Sequence, residues 1–142
     1  MVGPGSDSYH HTLIAQLIME RGQLPRDYLP YTPLVSFTYH FGFHSVAAAI
    51  AEVARVPVHI GVPIVAQLLI GLAALAVATF TEMITRNRLA AAVSAVVVGS
   101  VAVFTAYLIN YGRYTQLAGT VLLAGLLALV WDWDATGWRW QP

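Results

Sequence analysis

The sequence predicts an all-α, polytopic integral membrane protein with about three transmembrane helices, one short surface helix and one juxtamembrane helix. Residues 56–81 and residues 89–112 contain no Asp, Glu, Lys or Arg. A helix rises about 1.5 Å per residue, so roughly 20 apolar residues cross a hydrocarbon core about 30 Å thick. Both segments are long enough to span a membrane. Residues 114–131 form a third uncharged segment at the lower limit of length.

The composition agrees with this class and excludes several others. The chain is 58% hydrophobic and 10% charged, whereas a soluble domain has about 25% charged residues. Its net charge of zero provides no basic surface, so we expect no nucleic-acid partner. The absence of cysteine excludes disulfides, thiolate catalysis and cysteine-based zinc sites. All seven cationic side chains are arginine, the residue that binds carboxylate and phosphate in a two-pronged geometry.

Three regions follow from this pattern. Residues 1–59 are predicted to form an extracytoplasmic loop with the surface and juxtamembrane helices, residues 60–131 a three-helix transmembrane region, and residues 132–142 a Trp-rich interfacial tail. The amino terminus shows neither a signal peptide nor a first membrane span. We therefore expect the chain to be part of a larger protein, with membrane lipid and the remaining transmembrane helices of a larger chain or assembly as partners.

The surface helix is predicted to start at Ser6, Asp7 or Ser8, which are all favourable N-cap residues. Its apolar side chains fall on one side of the helix: Leu13, Ile14, Leu17 and Ile18. Gly22 and Pro25 are expected to end it. At this length the helix cannot cross a bilayer, so we expect it to lie at the membrane surface.

The juxtamembrane helix is predicted over residues 34–54, after a proline- and tyrosine-rich loop at residues 24–34. Ser36, His40 and His44 recur at intervals of four and would form a polar stripe along this helix. A helix that faces lipid would not keep such a stripe, so we expect it to be juxtamembrane or packed against protein.

The three spans are predicted at residues 60–84, 89–109 and 117–131. A short hinge with Arg86 and Arg88 separates the first two spans, and a polar break at residues 110–116 separates the last two. Paired arginines in a short hinge favour the cytoplasmic side of a membrane. This orientation places residues 1–59 and the polar break together on the extracytoplasmic face.

Asp7 is the first candidate for chemistry. It is either an N-cap, or a general base or metal ligand at the membrane surface, and the two roles are compatible. His10 and His11 follow it as candidate substrate-binding residues. Adjacent side chains on a helix point about 100° apart, so at most one of these histidines joins Asp7.

His40 and His44 are the candidate metal ligands. They are four residues apart, the spacing of a two-histidine metal site on a helix. The glutamate that lies within such a pair in metalloproteases is missing, and Gly42 lies between the histidines. Histidines that pack at an interface or in a loop are the alternative interpretation.

Arg113 stands between two predicted spans, among polar neighbours. The candidate substrate-binding residues here are Asn110, Arg113, Tyr114 and Gln116. The guanidinium either extends to the lipid headgroups or binds an anionic substrate. Charge-assisted hydrogen bonds to phosphate would suit the second role.

Several of these segments resemble a known family. The block Gly-Ser-Asp-Ser-Tyr-His-His-Thr-Leu-Ile-Ala-Gln-Leu-Ile at residues 5–18, followed by Glu-Arg-Gly-Gln-Leu-Pro at residues 20–25, resembles the first extracytoplasmic loop of GT-C superfamily glycosyltransferases. That group includes oligosaccharyltransferase catalytic subunits, protein mannosyltransferases and aminoarabinose transferases. Residues 106–119 and residues 39–44 resemble later segments of GT-C-like membrane proteins. The resemblance covers most of residues 5–131.

The resemblance implies an enzyme that moves a sugar from a polyprenyl-phosphate-linked donor to an acceptor on the extracytoplasmic face of a prokaryotic plasma membrane. Asp7 matches the catalytic or metal-coordinating acid of the first loop, and Arg113 with its neighbours matches the second extracytoplasmic loop. A divalent metal is the cofactor that the family implies. Many members have an acidic residue in the second loop, where this chain has Asn110, Arg113 and Gln116, which argues against a metal shared between the loops.

Two other functions remain open from the sequence. The chain is alternatively a non-catalytic helical membrane scaffold, subunit or truncated fragment, in which case Asp7 and Arg113 need not be near each other. A channel or transporter segment is less favoured, because no predicted span has an acidic residue at mid-depth.

Overall fold

The computed structural model describes residues 6–101 and 103–136, and within them it is all-helical, which confirms the predicted fold class. The six α-helices and one short π-helical segment are α1 (Ser6–Arg21), α2 (Gly42–Ala54), α3 (Val58–Thr85), α4 (Arg88–Val96), the π-helical segment (Val97–Val101), α5 (Val103–Asn110) and α6 (Tyr114–Thr136). Three stretches are long and apolar enough to cross a membrane: Val58–Thr85, Arg88–Asn110 and Tyr114–Trp133.

Helix α1 agrees with the prediction in both its extent and its buried face. Ile14 and Leu17 are fully buried, and the other two predicted apolar side chains pack beside them. Gly22 ends the helix with a φ of 63°, a conformation that glycine adopts without steric cost. Its N–H donates to the Ile18 carbonyl at 2.9 Å.

The residues before α2 are not helical, so the predicted start of this helix at residue 34 was wrong. Residues 33–41 form neither helix nor strand, and Phe37 and Tyr39 pack against the buried face of α1 while Thr38 and His40 are exposed. The contacts of these two aromatic side chains hold the segment against α1, and the helix begins only at Gly42.

Helix α2 is joined tightly to α3. Arg55 ends α2 in the left-handed conformation, and the Val56 N–H donates to the Ala51 carbonyl at 3.0 Å, as in a Schellman motif. Gly61, in the first turns of α3, then approaches α2 closely. A Cβ atom at Gly61 would lie 2.7 Å from the Ala51 Cβ atom and 3.3 Å from the Ala47 carbonyl oxygen.

The second span contains an irregularity that the sequence did not predict. Its bounds agree with the prediction, but residues 97–101 form a wider π-helical turn between α4 and α5. The Thr105 hydroxyl donates to the Val98 carbonyl at 2.8 Å and so provides a partner for a carbonyl in the wider turn. Such turns displace backbone carbonyls from the regular pattern.

The third span begins earlier and ends later than predicted. The predicted polar break at residues 110–116 is only a three-residue loop, residues 111–113, because Tyr114 and Gln116 already belong to the first turn of α6. At its other end α6 continues through Trp133, so the first part of the predicted Trp-rich tail is helical. Residues 137–142 of that tail lie outside the described residues.

The chain divides into two compact units. The first unit contains residues up to Gln67 together with Tyr107–Thr115, and the second contains Leu68–Ala106 and the residues from Gln116 onward. The first unit therefore includes the 111–113 loop, which the sequence had assigned to the transmembrane region.

The close contact of Gly61 with α2 leads to a matched pair of substitutions. Gly61→Ala should lower the free energy of unfolding by roughly 1–3 kcal/mol, because the new methyl group overpacks the α2–α3 contact. Gly71→Ala is the control, since a Cβ at Gly71 meets nothing within 4 Å and alanine favours helix. Thermal unfolding in detergent micelles measures both, and equal behaviour of the two variants would contradict the contact.

Candidate functional site

The candidate site lies in the first unit, where the first turn of α1 meets the 111–113 loop. Asp7 is in that first turn and its side chain is exposed. Its negative charge acts on the ring of His11 and raises the pKa of that histidine, against the larger effect of burial. Residues four apart lie on the same face of a helix, so the carboxylate and the ring share one side of α1.

Gly112 brings the 111–113 loop into contact with α1. The residue is buried and has a φ of 71°. A Cβ atom here would lie 2.6 Å from both the backbone N and the Oγ of Ser8, and 3.2 Å from the Asp7 carbonyl carbon. Glycine is therefore required at this position for two independent reasons, the backbone conformation and the close approach.

A buried hydrogen bond joins the same two segments. Ser8 Oγ and Tyr114 Oη are 2.9 Å apart, and they belong to residues separated by 106 positions in the chain. Both side chains are almost completely buried. A buried hydroxyl pair of this kind would leave an unsatisfied polar group if either partner were removed, so it fixes the position of α6's first residue relative to α1.

Two buried histidines connect α1 to α2. His11 Nδ1 and His44 Nε2 are 2.8 Å apart, and the two residues are 2% and 0% exposed. The rings of Phe43 and Tyr114 lie 5.8 Å and 5.5 Å from the His11 ring, measured between centroids. One nitrogen of this bond must donate and the other must accept, so the pair shares one proton when both rings are neutral.

Burial keeps both rings of this pair neutral. It lowers the pKa of His11 to about 4, with the nearby His10 adding to the effect, and a hydrogen bond to the Gly112 carbonyl acts in the opposite direction. Burial likewise lowers the pKa of His44 to about 3, with His11 adding to it. Burial away from water disfavours the charged form of an imidazole. The interior of the site therefore contains no positive charge at neutral pH.

His44 also has one unsatisfied atom. Within the described part of the chain, its buried Nδ1 has no hydrogen-bond partner. The His40 carbonyl raises the pKa of His44, but its geometry with Nδ1 falls outside that of a hydrogen bond. An unsatisfied buried nitrogen costs about 1–3 kcal/mol, which the packing of α1 on α2 must offset.

His10 and His40 are exposed and contact the Tyr39 ring, on which only His40 is stacked. The Tyr39 ring centroid lies 5.1 Å from that of His10 and 4.3 Å from that of His40. His10 Nε2 is also 3.0 Å from the Tyr28 hydroxyl. Of the two adjacent histidines, only His11 points into the protein beside Asp7, in agreement with their 100° offset.

Arg113 is exposed at the end of the loop. Its guanidinium carbon lies 5.5 Å from the centroid of the Tyr107 ring, and that ring lies 4.6 Å from the ring of Tyr111. A guanidinium over an aromatic face is attracted by the ring. The guanidinium therefore contacts one exposed tyrosine, Tyr107, which in turn contacts Tyr111.

Most of the predicted site residues lie in the first unit, but not all of them. Asp7, His10, His11, Asn110, Arg113 and Tyr114 belong to the first unit. Gln116 belongs to the second unit, one residue beyond the boundary. Tyr114 is buried against Ser8, so its hydroxyl supports the site from inside and is not presented to a substrate.

The helical spacing from which the metal pair His40 and His44 was predicted is not present. His40 precedes α2, so His40 and His44 do not share a helix face, and their ring centroids are 6.4 Å apart. His44 Nε2 is already bonded to His11. Among the described residues there is no group of three or more His, Cys, Asp or Glu side chains that would hold a metal ion.

Sequence reasoning missed Ser8 and Gly112 as site residues. Ser8 was considered only as a helix cap, and Gly112 only as part of a polar break. Gly112 carried a usable signal, since a glycine between two apolar helices often marks a left-handed turn or a close backbone approach. Nothing in the sequence indicated that Ser8 is the residue it approaches.

No protein-family model matches this chain, and neither does any curated protein or solved structure. The chemistry of the site must therefore be inferred from its own residues.

Substitution of Gly112 tests the contact between the loop and α1. Gly112→Ala should destabilise the protein by several kcal/mol, since it combines left-handed backbone strain with a clash against Ser8. Gly22→Ala is the matched control: its φ is also positive, but a Cβ there meets nothing within 4 Å. The control should lose only about 1 kcal/mol. Thermal unfolding of both variants measures the difference, and equal losses would exclude the close approach.

The buried histidine pair predicts acid sensitivity. The folded-state pKa values of about 4 and about 3 lie below the ordinary value of 6.5, so the unfolded chain binds more protons below pH 6.5. Stability should be constant above that pH and fall between about pH 6.5 and pH 4, by up to about 1.4 kcal/mol per pH unit for each histidine. Melting temperatures from pH 8 to pH 4.5 measure this.

A glutamine at position 44 keeps an amide donor but cannot be protonated. His44→Gln should therefore show roughly half of the acid-dependent loss, relative to its own stability at pH 7. His59→Gln, outside the pair, should leave the full loss unchanged. If His44→Gln loses as much stability on acidification as the parent protein does, the buried pair is not the origin of the acid sensitivity.

Proposed function

We propose that this chain is part of a membrane-embedded glycosyltransferase of the GT-C type, with its site in the first unit on the extracytoplasmic face. The reaction would transfer a sugar from a polyprenyl-phosphate-linked donor to an acceptor hydroxyl. Asp7 is the proposed general base, and Arg113 is the proposed binding residue for the donor phosphate.

The observation that supports this proposal is the contact between the turn that contains Asp7 and the loop that contains Arg113. Gly112 lies against the backbone of Asp7 and Ser8, and the next residue along the chain is the arginine. A carboxylate and a guanidinium are thus presented from adjoining backbone segments, although more than a hundred residues separate them in sequence.

The proposed chemistry assigns one role to each charge. The Asp7 carboxylate accepts the proton of the acceptor hydroxyl, whose oxygen forms a bond with the anomeric carbon of the sugar. The bond between that carbon and the phosphate oxygen breaks, and the polyprenyl phosphate leaves with the electron pair. Arg113 stabilises the negative charge that develops on the phosphate.

The neutral interior of the site is compatible with these separate roles of Asp7 and Arg113. Burial keeps His11 uncharged, so it supports the turn of Asp7 without placing a positive charge beside the carboxylate. The two tyrosines next to Arg113 are exposed and aromatic, and such rings favour the membrane interface, where the phosphate of a lipid-linked donor is found. The paired arginines of the 86–88 hinge support the extracytoplasmic orientation.

The proposal predicts loss of transfer when the carboxylate is removed. In membranes that contain the full-length protein, Asp7→Asn should lower the rate of sugar transfer at least about 100-fold, the range expected for loss of a general base. The assay follows transfer of labelled sugar from synthetic polyprenyl-phosphate mannose or glucose. Arg113→Gln should weaken binding of polyprenyl phosphate by about 10- to 100-fold, the loss of one charged hydrogen-bonding group.

The matched controls are Glu52→Gln and Arg26→Gln, which change an exposed charge of the same sign elsewhere in the first unit. Both should leave transfer and binding unchanged. Undiminished transfer by Asp7→Asn would remove Asp7 from the mechanism. No transfer from either donor, together with no binding of polyprenyl phosphate, would favour the scaffold instead.

A further inference from the structure

Helix α2 has two apolar faces, and the described part of the chain packs against only one of them. The buried face comprises Phe43, His44, Ala47, Ala48 and Ala51, which pack against α1 and the start of α3. The opposite face is exposed and forms a shallow groove of about 330 Å³ lined by Val46, Ala49, Ile50, Val53 and Ala54. Val53 is 84% exposed and Val46 is 50% exposed.

The position of α2 along the chain places it beside the membrane. It ends at Ala54, and the first span begins at Val58, so at most about 14 Å of chain separates them. The close approach of Gly61 to Ala47 and Ala51 keeps α2 alongside the first turns of the span. In the same turns, Ile60 and Ile64 are also exposed, so the span that follows α2 presents exposed apolar side chains from its first turns onward.

The length and the polar residues of α2 specify its depth. Thirteen residues make a helix about 20 Å long, too short to cross the hydrocarbon core. Ser45 and Glu52 are seven residues apart and therefore share one edge of the helix, between the buried face and the groove. Glu52 is exposed. A helix with an apolar face and a polar edge is suited to the boundary between headgroups and acyl chains.

We propose that the outer face of α2 lies against membrane lipid at the boundary between headgroups and acyl chains, with Val46, Ile50 and Val53 among the acyl chains and Glu52 at the headgroups. The partner of this surface is the bilayer itself, reached by continuity with the span that follows. Because α1 packs on the other face of α2, this contact sets the depth of the candidate site. It does not depend on the proposed enzymatic activity.

The absence of cysteine from these 142 residues allows a direct test. The variants Val46→Cys, Val53→Cys, Glu52→Cys, Leu75→Cys and Thr38→Cys are each labelled with a nitroxide, in vesicles of phosphatidylcholine and phosphatidylglycerol. Collision with oxygen reports lipid, and collision with a water-soluble nickel chelate reports water. Leu75, 64% exposed in the middle of the first span, provides the reference for lipid, and the exposed Thr38, in the segment before α2, provides the reference for water.

Labels at Val46 and Val53 should resemble the Leu75 label, with oxygen collisions at least several-fold more frequent relative to nickel collisions than at Thr38. The Glu52 label should lie between the two references. Nickel collisions at Val46 and Val53 equal to those at Thr38 would overturn the proposal, because the face would be in water. Low collision rates with both reagents would also overturn it, because another protein segment would then cover the face.

Discussion

The first unit depends on the close approach of Gly112 to the first turn of α1. This approach closes a gap of more than a hundred residues in the chain and leaves no room for a side chain. Two further contacts depend on this approach of the loop to α1: the Ser8–Tyr114 hydrogen bond and the interaction of the His11 ring with the Gly112 carbonyl. Helix and loop are thus joined by a steric contact and by polar groups that would cost free energy if left unpaired. The two proposed functional charges flank this contact.

Inside the first unit the polar groups are neutral, and the charges lie at its surface. The buried members are hydroxyls and imidazoles, and the low pKa values of the two buried histidines show that burial outweighs the attraction of Asp7. Asp7 and Arg113 are both exposed, where neither bears a large desolvation cost. A substrate that covered both residues would remove water from them and strengthen each electrostatic interaction. The exposure of Asp7 and Arg113 therefore avoids the cost of burying an unpaired charge.

Hydropathy was sufficient to predict the three spans, because a hydrocarbon core demands length and apolarity and little else. The buried face of α1 and its end at Gly22 were also predictable, since helical periodicity and glycine are local signals. The structure of the residues before α2 was not predictable, because Phe37 and Tyr39 are held in place by packing against α1, a segment distant in sequence. The same reason applies to the site. Asp7 and Arg113 were noticed as charges beside apolar segments, whereas Ser8 and Gly112 matter only through each other, and one sequence does not show which distant residues meet.

The first unit is well packed and the three spans are sparsely packed, and this difference follows from the two solvents, water and lipid. In the first unit, aromatic and aliphatic side chains pack around α1 as in a water-soluble protein, because water drives apolar groups together. In the three spans only 28%, 14% and 17% of the apolar windows are buried, since lipid is as favourable an environment for leucine as another helix. Helix α2 combines both arrangements. Its buried face, which includes His44, packs against protein, and its other face is apolar but not covered by the described chain. A helix built in this way is suited to the boundary between water and hydrocarbon, and in that position α2 would set the depth of the candidate site in the membrane.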